Sequence, residues 1–146
     1  MTKLGEITVN GKQVSVFKPP HDAPDFPWVD VEELALAFLD PAAATRMVGH
    51  SHRFGDTSRV VATVRNGDRI ATIFCHAMAQ GLCGAIDEWN GFKPADEDDT
   101  GPAHWAYCIA LGRFAADHWP MSFENLIHAF KNPGGEFMKD VREGDA

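Results

Sequence analysis

The chain has 146 residues, of which 45% are hydrophobic, and its formal net charge is −8. This length supports one hydrophobic core and excludes two full-sized domains. The sequence has no apolar run of about 18 residues, as a membrane-spanning helix needs, and it begins without the apolar segment of a signal peptide. We expect a single cytoplasmic domain over residues 1–132, with no membrane contact, and a frayed tail over residues 133–146.

The surplus of carboxylates repels nucleic acid on average, so DNA binding requires a separate basic face. The sequence does separate its charges. From Arg46 to Arg69 there are five arginines, two aspartates and no lysine or glutamate, whereas residues 87–99 include six acidic residues and one lysine. These two segments could also pair with each other. A charged run is, moreover, usually an ordinary solvated face.

The first predicted element is a β-hairpin in EITVNGKQVSVF, residues 6–17, because Asn-Gly supplies the positive φ of a type I′ turn. A two-residue loop at Asn10-Gly11 places Ile7 opposite Val14. Four apolar side chains then share the face that we expect to be buried. They are Ile7, Val9, Val14 and Val16.

Two short helices are predicted after the proline-rich loop PPHDAPDFPW. Asp30 is a suitable N-cap for the first helix, with Glu33 three residues later. The buried side of this helix is expected to hold Val31, Leu34 and Phe38. The second helix starts at Asp40, a further N-cap residue, and is expected to end at Gly49.

A second hairpin is predicted in RVVATVRNGDRIATI, residues 59–73. A two-residue loop at Asn66-Gly67 would set Arg65 opposite Asp68 and Val64 opposite Arg69. Arg65 and Arg69 would then point to different faces of the sheet and approach each other only near the tip of the hairpin.

Three further helices are predicted in the C-terminal half, in CHAMAQGLCGAIDEW, PAHWAYCIALGRFAADHW and SFENLIHAFK. The aromatic side chains of the last two are expected to cover the sheet; any that are exposed would mark an interface with a homodimer partner or a regulatory protein. They are Trp105, Phe114, Trp119, Phe123 and Phe130. Together the elements predict an α+β fold in which two β-hairpins in a small antiparallel sheet are packed by four or five short helices.

The order of these elements resembles the N-terminal domain of phage antirepressors and baculovirus BRO proteins. The segments that carry the resemblance are QVSVF, PWVDVEELALAFL, AAATRMVGHSHRF and GLCGAI, and it covers about residues 7–86. In that family an Asp-Val helix start follows a Trp-aromatic stretch, and a Gly-Leu step lies in a later helix. The resemblance implies a domain that binds DNA or a regulatory protein in a phage or prophage.

The function that we favour from the sequence is a non-enzymatic regulator of this type, whose arginines contact DNA or an acidic partner. Arginine suits the task because its planar guanidinium stays charged and can bind two phosphate oxygens or a guanine edge. The candidates are Arg46, Arg53 and Arg59 for phosphates, and Arg65 and Arg69 for a groove. In the alternative reading, Arg65 pairs with Asp68, Arg69 covers apolar surface, and the remaining arginines are solvated.

A second hypothesis starts from QVSVF, which resembles the peptide Gln-Leu-Ser-Leu-Phe that docks bacterial proteins on the replication sliding clamp. The resemblance implies a small inhibitor or toxin-like protein that binds a host factor. The residues concerned are Gln13, Val14, Ser15, Val16 and Phe17. Docking would require the strand to detach, because Val14 and Val16 are predicted to face the core.

Neither a metal site, a cofactor nor a catalytic residue is predicted. The histidines and cysteines lack the Cys-x-x-Cys or His-x-x-x-His spacing that is usual for zinc. No base and orienting carboxylate stand near Cys83 or Cys108 in the sequence. The three cysteines lie among apolar residues, which predicts reduced and buried thiols.

Overall fold

The computed structural model describes residues 2–55, 61–132 and 134, and of residues 50–55 it describes the backbone alone. In chain order the elements are β1 (Lys3–Val9), β2 (Lys12–Phe17), β3 (Trp28–Asp30), α1 (Val31–Leu36), α2 (Pro41–Gly55), β4 (Val61–Asn66), β5 (Arg69–Phe74), α3 (His76–Trp89), α4 (Pro102–His118) and α5 (Phe123–Lys131). The strands form one antiparallel sheet in the order β1-β2-β3-β5-β4. The predicted α+β fold is therefore confirmed.

The first hairpin has the register that the sequence predicts. Ile7 pairs with Val14 and Val9 with Lys12, and the loop residues have positive φ angles, 52° at Asn10 and 78° at Gly11. These angles are typical of a type I′ turn. The four apolar side chains predicted to be buried are buried.

The predicted register of the second hairpin is wrong by two residues. Asn66 pairs with Arg69, so the loop consists of Gly67 and Asp68 instead of Asn66 and Gly67. Gly67 has a φ of 64°, and a type II′ turn needs positive φ only at this first central position. Gly67 is compatible both with a type I′ turn at Asn66-Gly67 and with a type II′ turn at Gly67-Asp68, so the local sequence does not determine which one forms.

The contacts of Asn66 explain the choice of turn. Because Asn66 stays in β4, its side-chain amide donates hydrogen bonds to Ser15 Oγ at 3.0 Å and to Asp30 Oδ2 at 2.9 Å. Both acceptors are buried. If Asn66 were a loop residue, these buried polar atoms would lose a partner at a cost of about 1–3 kcal/mol each.

Both faces of the sheet carry a core cluster. The larger cluster joins the apolar face of the first hairpin to α1, α2, α3 and α4. Because side chains alternate along a strand, Phe17, Trp28 and Ile73 lie on the opposite face, where they form the smaller cluster. Trp28 is completely buried, and its Nε1 donates a hydrogen bond to Asp25 Oδ2 at 2.8 Å.

Two predicted helix boundaries need correction. Helix α1 ends at Leu36, so Phe38 lies past its C-terminus and is half-buried. Helix α2 continues through Gly49 to Gly55, because a single glycine costs a helix only about 1 kcal/mol relative to alanine. The predicted N-caps Asp30 and Ser122 are confirmed, since each side chain accepts a backbone N–H of the first turn.

The prediction that the C-terminal aromatic residues cover the sheet is wrong for three of the five. Trp105, Phe123 and Phe130 are 57%, 78% and 63% exposed, whereas Phe114 is buried and Trp119 is half-buried. Exposed aromatic side chains of this size are typical of an interface. A homodimer or a regulatory protein as the partner stays a prediction.

The cysteines are free thiols, as the sequence predicts. Cys75 and Cys83 are buried, and Cys108 is half-buried. Burial raises the pKa of Cys75 to about 11, so this thiol is protonated at neutral pH and is a poor nucleophile. Among the described helices, none combines the length and the apolar character needed to span a bilayer.

A half-buried histidine connects α3 to α4. His76 Nδ1 lies 2.7 Å from the hydroxyl of Tyr107, a residue with no exposed surface. Burial lowers the pKa of His76 to about 4, although the charge of Asp25 acts in the opposite direction. The imidazole is therefore neutral at pH 7, and it becomes protonated in the folded chain only at distinctly acidic pH.

We predict that the free energy of unfolding decreases as the pH falls from 7 to 4.5. Between about pH 6.5, the ordinary pKa of histidine, and the folded value of about 4, only the unfolded chain binds this proton. Stability therefore decreases as the pH falls across that window, by up to about 3 kcal/mol. Urea denaturation at both pH values measures the change.

The matched variant is His76→Gln, which can hydrogen-bond to Tyr107 but does not titrate. We expect it to lose a large part of the pH dependence between 4.5 and 7 while still unfolding cooperatively. A variant whose stability follows the wild-type pH profile would show that His76 is not the responsible group.

Candidate functional site

The five arginines predicted to bind DNA lie in different parts of the chain. Arg46 lies on α2, Arg65 lies on β4, and Arg69 opens β5. Arg53 also lies on α2, with its side chain outside the described residues, and Arg59 falls in the undescribed stretch 56–60. Three of the five side chains can therefore be placed.

Arg69 lies among three carboxylates where β3 ends and α1 begins. Its Nη2 lies 2.5 Å from Asp30 Oδ2 and 3.8 Å from Glu33 Oε2, and its Nη1 lies 3.4 Å from Glu32 Oε2. Partial burial alone would lower the pKa of Arg69, but the hydrogen bond and charge of Asp30 outweigh this effect and raise it. The N–H donors of this guanidinium are used in these contacts, so they are not available to a phosphate.

Asp30 is the centre of this arrangement because its carboxylate is completely buried. Its Oδ1 accepts the backbone N–H of Glu33 at 3.1 Å, and its Oδ2 accepts hydrogen bonds from Asn66 and Arg69. A buried carboxylate without such partners would destabilise the fold by several kcal/mol. We call Ser15, Asp30, Glu33, Asn66 and Arg69 the junction network.

The junction network also completes the hydrogen bonding of β2 at the point where the short strand β3 ends. Val16 pairs with Val29, so Ser15 lies at the position where β3 gives way to helix α1. Glu33 Oε1 accepts the backbone N–H of Ser15 at 2.9 Å in place of a strand carbonyl. The network thereby joins β2, β3, α1, β4 and β5.

The sequence indicates only part of this network. It identifies Asp30 as an N-cap and Arg69 as a DNA contact, but it does not predict β3, the strand that brings the two together. The available signal is the acidic start of α1, with Asp30, Glu32 and Glu33 in four residues. Of these three carboxylates only Asp30 is buried, and a buried carboxylate needs a hydrogen-bonding or charged partner.

Arg46 and Arg65 are exposed, and neither forms an ion pair with a described residue. The Cζ atom of Arg46 lies 5.9 Å from the centre of the Trp89 ring, a cation–π contact that leaves its N–H groups available. Arg65 pairs across the hairpin with Ile70, so the predicted position opposite Asp68 is wrong. Ile70 is itself 61% exposed.

Asp87, the first residue of the acidic segment 87–99, is fixed by hydrogen bonds to the backbone of α4. Asp87 is buried, and its two oxygens accept the backbone N–H groups of Ala103 at 2.8 Å and His104 at 3.1 Å. A Cβ atom at Gly101 would lie 2.4 Å from the carboxyl carbon of Asp87, so only glycine fits there. Within the described chain, none of the carboxylates of this segment pairs with an arginine.

The residues of the clamp-binding hypothesis lie on β2, between β1 and β3. Gln13 is exposed, and its amide donates a hydrogen bond to Thr8 at 3.2 Å. The remaining four are buried: Val14, Ser15, Val16 and Phe17. Clamp docking would require β2 to leave the sheet, so the geometry favours the arginine surface over this alternative.

Among the residues whose side chains are placed, no three His, Cys, Asp or Glu side chains are grouped so that they could hold a metal ion. No protein-family model, curated protein or solved structure matches the chain. The resemblance to phage antirepressors and BRO proteins therefore stays a prediction, and the functional argument depends on the placement of the side chains.

We predict that Arg69→Ala and Arg65→Ala differ sharply in their effect on stability. Arg69→Ala leaves the buried charge of Asp30 without its cation. We expect a loss of about 2 kcal/mol, less than for a fully buried pair because the Arg69 side chain is 37% exposed. Arg65→Ala should change stability by less than about 0.5 kcal/mol. Urea denaturation measures both, and equal losses would contradict the distinction.

Proposed function

We propose that the chain is a non-enzymatic regulatory domain, of phage or prophage type, that binds duplex DNA through Arg46 and Arg65. Arg53 and Arg59, which are near these residues in the sequence, are proposed as further phosphate contacts. The observation that carries the proposal is that both placed guanidinium groups are exposed and that neither pairs with a carboxylate of the described residues. The element order that resembles phage antirepressors supports the same class of function.

An unpaired arginine is notable in a chain of this composition. Acidic residues outnumber lysine and arginine by 21 to 13, so an exposed cation has many potential partners within the molecule. A guanidinium that remains unpaired keeps its donors available for phosphate oxygens, which it binds two at a time.

The hairpin of β4 and β5 has a suitable shape for a groove. A two-stranded ribbon fits the major groove of B-DNA, which is about 12 Å wide. Because β5 also pairs with β3 in the sheet, the edge strand β4 is the one that can face the groove. Arg65 precedes the last residue of β4, and the exposed Ile70 beside it offers apolar contact to a thymine methyl group. Arg46, on α2, would bind the phosphate backbone.

Arg69 has a different part in this proposal. Arg69 flanks the loop opposite Asn66, and through Asp30 it holds the turn end of the hairpin against the start of α1, so it positions Arg65 without contacting DNA. The net charge of −8 opposes binding at long range. We therefore expect binding to be weak at physiological salt and to strengthen steeply as salt is removed.

We predict that the protein binds a fluorescently labelled DNA duplex at low salt and that Arg46→Ala with Arg65→Ala weakens this binding at least about tenfold. The loss of two phosphate contacts should also reduce the slope of log affinity against log salt by about 2. Fluorescence anisotropy over a range of salt concentrations measures both quantities. The matched control is Lys131→Ala, which removes an exposed cation at the end of α5 and should leave affinity nearly unchanged.

Three results would count against the proposal. Wild-type protein that fails to bind duplex DNA at any salt concentration excludes DNA as the partner. If the same protein then binds polyglutamate through Arg46 and Arg65, the surface serves an acidic protein instead. DNA binding that survives the double substitution places the contact elsewhere on the chain.

A further inference from the structure

A groove runs along the free edge of β1, at the opposite end of the sheet from β4. It has a volume of about 360 Å³, and three consecutive strand residues, Glu6, Ile7 and Thr8, line one side of it. Successive side chains of a strand point to opposite faces. Three consecutive residues can therefore line one groove only if that groove follows the strand edge. We call it the β1 edge groove.

The hairpin register shows which backbone groups point into the groove. In a two-residue hairpin the pair that flanks the loop, here Val9 and Lys12, is hydrogen-bonded, and such pairs alternate along an antiparallel ladder. Ile7 and Val9 thus direct their N–H and C=O groups toward β2. Glu6 and Thr8 direct theirs outward.

These outward groups have no partner among the described residues. Only the side chains of Glu6 and Thr8 form hydrogen bonds with described residues: Glu6 accepts from Lys3 Nζ at 3.0 Å, and Thr8 Oγ1 accepts from Gln13 Nε2 at 3.2 Å. A row of unpaired N–H and C=O groups on a sheet edge is a template for a further strand.

Helix α4 forms the other wall of the groove. The wall residues recur at helical spacing and so belong to one face of α4. They include Ala106, Ile109, Ala110, Arg113 and Asp117. The first three make an apolar stretch in which Ile109 is 46% exposed, and Arg113 is exposed without an ion pair to any described residue.

We propose that the β1 edge groove binds an extended segment of another protein, which adds to the sheet as a sixth strand. The outward groups of Glu6 and Thr8 would supply the backbone hydrogen bonds. Aliphatic side chains at every second position of the segment would contact Ile109 and its alanine neighbours. A carboxylate of the segment would pair with Arg113, which forms no ion pair with a described residue, at a position away from Glu6 and Asp117, the two carboxylates that also line the groove.

A second copy of this chain fits the groove less well than a single strand. Pairing β1 with β1 of another copy would bring the two strands to about 4.8 Å, whereas packed helices need about 8–10 Å between their axes. Helix α4 already stands against β1, since a Cβ atom at Gly5 would lie 3.1 Å from the Phe114 ring. In such a dimer, helix α4 of the second copy would occupy the same space as α4 of the first.

The test uses the full chain and a displayed library of random ten-residue peptides. We expect selection to enrich peptides with aliphatic residues at alternate positions and an acidic residue. In NMR titration with a selected peptide, the amide protons of Glu6 and Thr8 should shift and exchange more slowly with solvent. Ile109→Lys should weaken binding at least about tenfold, and denaturation of this exposed-site variant confirms that it folds.

Charge reversal gives the matched control. Arg113→Glu should weaken binding of the acidic peptide and restore it for a peptide whose acidic residue is replaced by lysine. The proposal is overturned if no alternating peptide is enriched, or if selected peptides bind Ile109→Lys as tightly as wild type. It is also overturned if the Glu6 and Thr8 amides become protected only through concentration-dependent dimerisation of the protein alone.

Discussion

A buried carboxylate in the middle of the sheet organises this fold. Asp30 has no exposed surface, so its charge is stable only because Arg69, Asn66 and the first turn of α1 surround it with donors. Removing a charge from water costs several kcal/mol unless such partners are present. The donors that surround the Asp30 carboxylate therefore fix the second hairpin against α1, and the junction network connects five elements.

The same constraint divides the arginines into two kinds. Arg69 is paired with the carboxylates around Asp30, whereas Arg46 and Arg65 are exposed and form no ion pair with any described residue. In the part of the chain that the structure describes, no carboxylate of the acidic segment forms an ion pair with either arginine, and its buried member Asp87 accepts N–H groups from the first turn of α4. The hairpin with Arg65 and the β1 edge groove lie at opposite ends of the sheet. A nucleic acid and a protein segment could thus be held by one small domain without competing.

The sequence predicts the features that depend on local chemistry. Asn10-Gly11 specifies the first turn, and Asp30 is correctly identified as an N-cap. The second turn is not predictable locally, because Gly67 permits two registers and the choice follows from Asn66 contacts across the sheet. Strand β3 has only three residues, too few to show a periodicity. For the same reason the sequence does not predict that Arg69 pairs with Asp30, because β3 is the strand that places Asp30 beside Arg69.

A double-mutant cycle on Asp30 and Arg69 tests this account most directly. Asp30→Asn can keep the N-cap hydrogen bond while removing the charge, and Arg69→Met removes the guanidinium while keeping apolar volume. If the buried charge needs Arg69, the two losses of unfolding free energy will be non-additive by at least about 1 kcal/mol. Losses that add within about 0.3 kcal/mol would mean that the two groups act independently, and the account would be wrong.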